Sequence, residues 1–221
     1  MKRSYLFKCL FAGLALAALG GPAGAEPSSK VAWTLDTLHL VSKADAAKGK
    51  DVAARCEGCH GAAGNAAAQN PDLRGQRAEY LFKQLEDYKD GSRDNPVMSS
   101  MAAGLSDQEM AEVSAYYGQQ EAPDWRKEFF VADTIDLLVN RGDGKRILPP
   151  CKTCHESNGR GQKIDIPAIG GQSAAYLEQT LLAYKSGERH NDLYSRMRWI
   201  ARELSVDEIK QLARYYAGTD R

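Results

Sequence analysis

The sequence predicts an all-α chain made of two tandem copies of one small domain. Three observations carry that prediction. The chain aligns with itself at an offset near 96 residues, both copies show the same order of helix signals, and no stretch alternates apolar and polar residues convincingly enough for a strand. The stretch "GQRAEYLFKQLEDYKDGSRDN" matches "GQSAAYLEQTLLAYKSGERHN". Gly75, Gln76, Tyr80, Leu81, Leu85, Tyr88, Lys89, Gly91, Arg93 and Asn95 recur as Gly171, Gln172, Tyr176, Leu177, Leu181, Tyr184, Lys185, Gly187, Arg189 and Asn191. After a three-residue insertion "LSDQEMAEVSAYY" matches "LSVDEIKQLARYY". A period this long describes whole domains, not a solenoid repeat.

The elements follow in order. "ADAAKGKDVAAR" reads as a short helix leading into Cys56. A helix from about Ala78 to Lys89 sets Tyr80, Leu81, Leu85 and Tyr88 on one face, and Gly91 ends it. A loop is expected to carry Met98. The last helix of each copy opens on a capping box, Ser106 with Glu109 and Ser205 with Glu208, and Met110, Val113 and Tyr117 form its apolar stripe in the first copy. These signals place a first domain at 44–118, a linker at 119–140 that becomes helical near "DTIDLLVNR", and a second domain at 141–221. Residues 26–43, with Trp33 and His39, form an N-terminal extension whose role the sequence leaves open between a partner and peripheral membrane association. Tyr80, Arg93, Tyr176 and Arg189 fit a domain interface and repeated core or cap positions equally well.

Residues 1–25 combine a basic start, a short apolar run and Ala23-Gly24-Ala25, the pattern of a cleaved signal peptide, so the chain is expected to be periplasmic and soluble. Removing that segment takes three bases and no acid from 29 of each, leaving a net charge of −3, too balanced for nucleic acid. The charge is uneven: 44–118 carries −4 and 141–221 carries +4, a dipole able to orient the molecule toward charged partners.

Of five cysteines, Cys9 leaves with the leader and the other four form "CEGCH" and "CKTCH". Zinc uses such pairs, but these stand in equivalent places of separate repeats. A thioredoxin-like pair wants a βαβ setting that is missing here. The third chemistry is covalent c-type haem attachment through Cys56, Cys59, Cys151 and Cys154, with His60 and His155 as iron ligands. Two haems fit the domain size as well, because domains of about 75 residues need a staple or a large prosthetic group to be stable. For the sixth ligand, Met197 stands alone in the second copy, and Met98 is its counterpart, each seven residues before a matched leucine. Met101 and Met110 align with Ile200 and Ile209, apolar positions, while His39 and His190 lack a repeated context and read as surface residues. No paired carboxylates, nucleophile with its base or phosphate loop is evident, so no catalytic residues are assigned and no small-molecule substrate is expected.

"CEGCHGAAGN", "PDLRGQRAEYLFKQL", "GSRDNPVMSSMAAGLSDQEM" and the weaker "IPAIGGQSAAYL" and "MRWIARELS" resemble the dihaem cytochromes c4 over about Ala44 to Arg221. The resemblance implies two class I cytochrome c domains, each wrapped around a covalently attached haem, with iron ligands His60 and Met98, then His155 and Met197. It also implies that the carbonyls of Pro71 and Pro167 accept a hydrogen bond from the ligating histidines. The implied function is electron transport between redox protein partners: a quinol-oxidising complex or dehydrogenase as donor, an acceptor such as a terminal oxidase. The cytochrome subunit of flavocytochrome c sulfide dehydrogenase looks similar, which keeps a subunit role as the alternative, and a dihaem peroxidase or thiosulfate-oxidising enzyme is the less favoured one. Two departures from the family pattern are Glu156, where a glycine is usual, and the bulky, basic "RMRWIAREL" at the second methionine.

Overall fold

The computed structural model describes residues 28–61, 69–124, 132–162 and 164–218; the leader read over 1–25 lies outside them. Among the described residues the chain is helical, with two isolated β-bridges, Asp143 with Leu148 and Gln162 with Ile166. No described helix is long and apolar enough to cross a membrane.

The helices divide between two apolar cores. The first is built by α1 (Leu35–Ser42), α2 (Ala46–Ala53), α3 (Glu57–His60), α4 (Ala78–Asp90), α5 (Pro96–Ala103) and α6 (Asp107–Gly118). Its centre is Val52, Ala53, Leu81, Phe82, Leu105, Met110, Ala111, Val113 and Tyr117. The second is built by α7 (Asp133–Arg141), α8 (Cys151–His155), α9 (Ala174–Ser186), α10 (Arg196–Glu203) and α11 (Val206–Ala217), around Ile135, Leu138, Val139, Leu177, Leu204, Ile209, Leu212 and Tyr216. Both capping boxes form, and Ser106 and Ser205 accept from the backbone of Glu109 and Glu208. Such a cap contributes about 1 kcal/mol of helix stability.

Three sequence expectations change. Met98 lies on α5, not on a loop: Asn95 caps the helix by accepting from the Met98 N–H at 3.0 Å, and Pro96 fits its first turn. The helical part of the 119–140 segment, α7, buries Ile135, Leu138 and Val139 in the second core, so it belongs there and not to a linker. The extension is likewise built into the first domain. Val41 of α1 is buried in that core, and the Trp33 ring lies 6.5 Å from Phe82.

Between the cores lies a polar interface. Lys83 and Asp87 on α4 are buried and paired, and Lys83 also donates to the Asn191 carbonyl at 2.7 Å. Asn191 donates to Asp87 at 2.7 Å and to Gln84 at 3.0 Å. Arg189 donates to Tyr80 at 3.0 Å and to Gln84 at 2.9 Å, and Arg93 reaches the same Gln84 oxygen at 2.8 Å. The open question about Tyr80 and Arg189 is thereby decided for the interface. Each arginine also stacks on its own domain's tyrosine, Arg93 on Tyr88 and Arg189 on Tyr184, both at 4.6 Å. Ser29 donates to Asp87 at 2.6 Å and Ser28 to the Asp192 carbonyl at 2.8 Å, so the extension crosses to both domains.

In the second domain Arg146 ties the 143–148 turn to α11. It donates to Glu208 at 2.8 and 3.0 Å, to Asp143 at 2.7 Å and to the Glu203 carbonyl at 2.9 Å. The hydrogen bond from Arg146 holds the Glu208 carboxyl below its ordinary pKa against partial burial. A depressed carboxylate stabilises the fold above its unfolded pKa of about 4.3, and that stability is lost as pH falls through the folded value. Glu208→Gln is therefore expected to cost about 1 kcal/mol or less near neutrality and to flatten the acid limb below about pH 4.3. Thermal melts followed by circular dichroism across that range check it.

Candidate haem centres

In each domain one helical turn gathers the motif. Cys56 precedes α3, and Cys59 and His60 end it, while α8 carries Cys151, Cys154 and His155. Residues three and four apart share a helix face, so both cysteines and the histidine stand on one side of the turn. No disulfide joins any of the four cysteines. Cys56 packs against the first core and Cys151 against the second, so the two pairs do not meet. Burial raises the Cys56 thiol pKa and pushes that of Cys151 up to about 11, the reverse of a reactive redox thiol.

His60 Nδ1 lies 3.0 Å from the Pro71 carbonyl and His155 Nδ1 3.1 Å from the Pro167 carbonyl. A carbonyl can only accept, so each Nδ1 carries the proton and Nε2 is the free lone pair. Burial lowers both histidine pKa values, with the prolyl carbonyls opposing it, and the ring is thereby kept in the neutral form that ligates a metal. Met98 and Met197 are both half-buried, on α5 and α10. His39 is exposed, and so is His190, whose Nδ1 lies 3.2 Å from the Glu188 carbonyl.

The interface has the charge a haem would complement. Buried Lys83 pairs with Asp87, while buried Arg189 and half-buried Arg93 donate to the neutral Gln84 amide, so this network holds more positive than negative charge. Uncompensated buried charge is costly, and the two propionates of a haem are the anions that would relieve it. The donor set and the charge both fit the group.

A cytochrome c family model matches residues 46–120. A protein of Stutzerimonas stutzeri (strain A1501) named as a thiosulfate dehydrogenase electron acceptor is 40% identical over 197 residues, covering 82% of this chain and 90% of the relative. Cytochrome c4 of Pseudomonas aeruginosa is 36% identical over 177 residues, covering 79% and 88%. The chain belongs to the dihaem cytochrome c4 family. The crystal structure of reduced recombinant cytochrome c4 from Pseudomonas stutzeri superposes with a TM-score of 0.75 at 34% identity, covering 79% of this chain and 98% of that one. Like other c4-type proteins, this one has two class I cytochrome c domains, binds two haem c groups covalently and transfers electrons.

The two centres differ at the positions where the sequence departs from the repeat. In the first, Gly61 follows the histidine at φ 75°, ψ 156°; in the second, Glu156 adopts φ 64°, ψ 163°. That region is essentially restricted to glycine and costs other residues about 1–3 kcal/mol. The three-residue insertion forms a 3-10 turn, Leu193–Ser195, with Tyr194 and Ser195 both at positive φ, so the residue just before α10 gives no side-chain cap and Asp192 caps the helix from further back, accepting from the Arg198 N–H at 3.0 Å, where α5 has Asn95. Lys83, Gln84 and Asp87 escaped the sequence reading because a single apolar stripe marks one face of α4 and these residues bury a second. Their signal was the i,i+4 spacing of Lys83 and Asp87. Glu156→Gly is expected to raise the stability of the second domain by about 1 kcal/mol or more, relieving that strain. Differential scanning calorimetry of the haem-loaded protein checks it.

Proposed function

We propose that the chain is an exported, periplasmic dihaem carrier that accepts electrons from a dehydrogenase and delivers them to an acceptor such as a terminal oxidase. One observation carries the reading: two Cys-x-x-Cys-His turns, each with its histidine Nδ1 held by a prolyl carbonyl, stand in matching places of two domains joined by one buried interface. In this reading Cys56, Cys59, Cys151 and Cys154 would anchor the haems, and His60 with Met98 and His155 with Met197 would ligate the two irons. The haem irons supply reversible one-electron chemistry. Pro71 and Pro167 hold the rings in one orientation and one tautomer, and Asn95 steadies the turn that bears Met98. A closed His/Met pair favours electron transfer over reaction with a substrate.

The name of the Stutzerimonas stutzeri relative supports a thiosulfate-oxidising dehydrogenase as the donor. The surfaces near the two methionines support separate docking sites. On α5 the exposed residues include Val97 and Met101, and the helix has no charged side chain. On α10, Arg196 and Arg202 are exposed beside Trp199, with exposed Tyr194 just before the helix.

An optical redox titration with carbon monoxide added to the reduced protein tests the ligands. Two low-spin haems, a sulfur-to-iron charge-transfer band when oxidised and no carbon monoxide response are expected; prompt binding at one haem would overturn the closed-site reading. The docking assignment predicts that Arg196→Glu with Arg202→Glu slows exchange with one partner and flattens its salt dependence, while exchange with the other is unchanged. Stopped-flow mixing with thiosulfate dehydrogenase and with a terminal oxidase measures both, and unchanged rates with each would sink it.

A further inference from the structure

Each prolyl carbonyl that receives a histidine is half of a peptide unit, and the other half is gripped from across the domain boundary. The N–H of Asp72 belongs to the same peptide as the Pro71 carbonyl and donates to Gln172 Oε1 at 3.0 Å. The N–H of Ala168 shares a peptide with the Pro167 carbonyl and donates to Gln76 Oε1 at 2.8 Å. Each glutamine also donates back through Nε2, Gln76 to the Ala168 carbonyl at 2.8 Å and Gln172 to the Asp72 carbonyl. The two glutamines are repeat counterparts, and so are Asp72 and Ala168, so the arrangement is reciprocal. Both side chains are buried, at 5% and 6% exposure.

Their positions are tightly fixed. The preceding Gly75 and Gly171 donate to the carbonyls of Tyr117 and Tyr216 at 2.9 and 2.8 Å, at the ends of α6 and α11. Both glycines have positive φ, 62° and 78°. A Cβ on Gly75 would lie 2.5 Å from the Ala122 Cβ, and one on Gly171 would lie 2.6 Å from the Pro123 Cβ. The chain between the domains therefore runs against both glycines, and only glycine leaves room for it.

We propose that Gln76 and Gln172 are positioning residues that tune the haem of the opposite domain: Gln172 acts on the first through Asp72, Pro71 and His60, and Gln76 on the second through Ala168, Pro167 and His155. The inference rests on the ligand assignment of His60 and His155 made above. An acceptor on the peptide N–H draws its proton outward and makes the carbonyl oxygen a stronger acceptor. A stronger acceptor on Nδ1–H makes the imidazole a better electron donor at Nε2, which favours the oxidised iron. Loss of the glutamine oxygen then favours the reduced iron, and it does so at the haem of the other domain.

The test uses the full haem-loaded protein and the variants Gln172→Leu and Gln76→Leu, with Gln172→Met and Gln76→Met as longer apolar replacements should a leucine variant fail to assemble. Potentials are measured haem by haem, by redox titration followed by NMR of the haem methyl signals. The Gln172 variant is expected to raise the reduced-to-oxidised ratio of the first haem about threefold at fixed ambient potential and to move the second less, and the Gln76 variant the converse. In the reduced protein the Nδ1–H proton of His60 is expected to move upfield in the Gln172 variant and that of His155 in the Gln76 variant. Equal movement of both haems in each variant is what loosening of the interface alone would produce, and it would overturn the proposal, as would no movement. Wild-type spectra without two His/Met haems would instead overturn the ligand assignment, and this inference with it.

Discussion

Two peptide units carry more of this structure than any helix does. On one side, the Pro71 and Pro167 carbonyls receive the imidazole N–H of His60 and His155. On the other, the N–H groups of Asp72 and Ala168 are held by glutamines of the opposite domain. A histidine ring orientation, a loop position and a domain orientation are thus set by the same few atoms. The rest of the chain brings those atoms into register: α6 and α11 end where their carbonyls receive Gly75 and Gly171, and those glycines place the glutamines. Moving one element in this set moves a group next to a histidine.

Symmetry holds at that centre and fails toward the surface. The first domain has Gly61 after its histidine and an uncharged α5. The second has strained Glu156, two successive residues at positive φ and a basic α10 with exposed aromatic neighbours. What the halves share fixes ring and interface geometry. The buried exception is the Lys83, Gln84 and Asp87 group, whose second-domain counterparts are Gln179, Thr180 and Ala183.

The helical architecture and the duplication were legible because they rest on local signals: capping boxes, glycine stops and a motif repeated in register. Met110, Val113 and Tyr117 read as an apolar stripe and are buried in the core. The placement of α7 was not legible, since Ile135, Leu138 and Val139 make the same stripe whether a helix belongs to a linker or to a core. The extension was obscure for a related reason. Trp33 meets Phe82, and Ser29 meets Asp87, through contacts between residues far apart in sequence, and no period announces those. For Gln76 and Gln172 the repeat marked the positions but not the reason, because a hydrogen bond across a domain boundary leaves no local trace. The three-residue insertion was visible as a shift in offset, while the left-handed Tyr194 and Ser195 it forces were not.

A polar interface is an unexpected way to join two small domains if strength is the measure. A hydrogen bond contributes only about 1 kcal/mol net, and buried ions often stabilise less than an apolar contact of the same size. Its merit is directional. Sliding the domains by one residue would leave Gln76, Gln172, Gln84, Asn191 and Arg189 buried and unpaired. Each such loss costs about 1–3 kcal/mol, more for the guanidinium, whereas an apolar face would slide at little cost. The network therefore selects one arrangement over its neighbours more than it strengthens that arrangement. For electron transfer between two haems that selectivity is the relevant property, since a single domain orientation means a single separation between the centres. Two of those groups, Gln76 and Gln172, also hold the peptides that receive His155 and His60, so domain orientation and histidine surroundings are set in part by the same side chains.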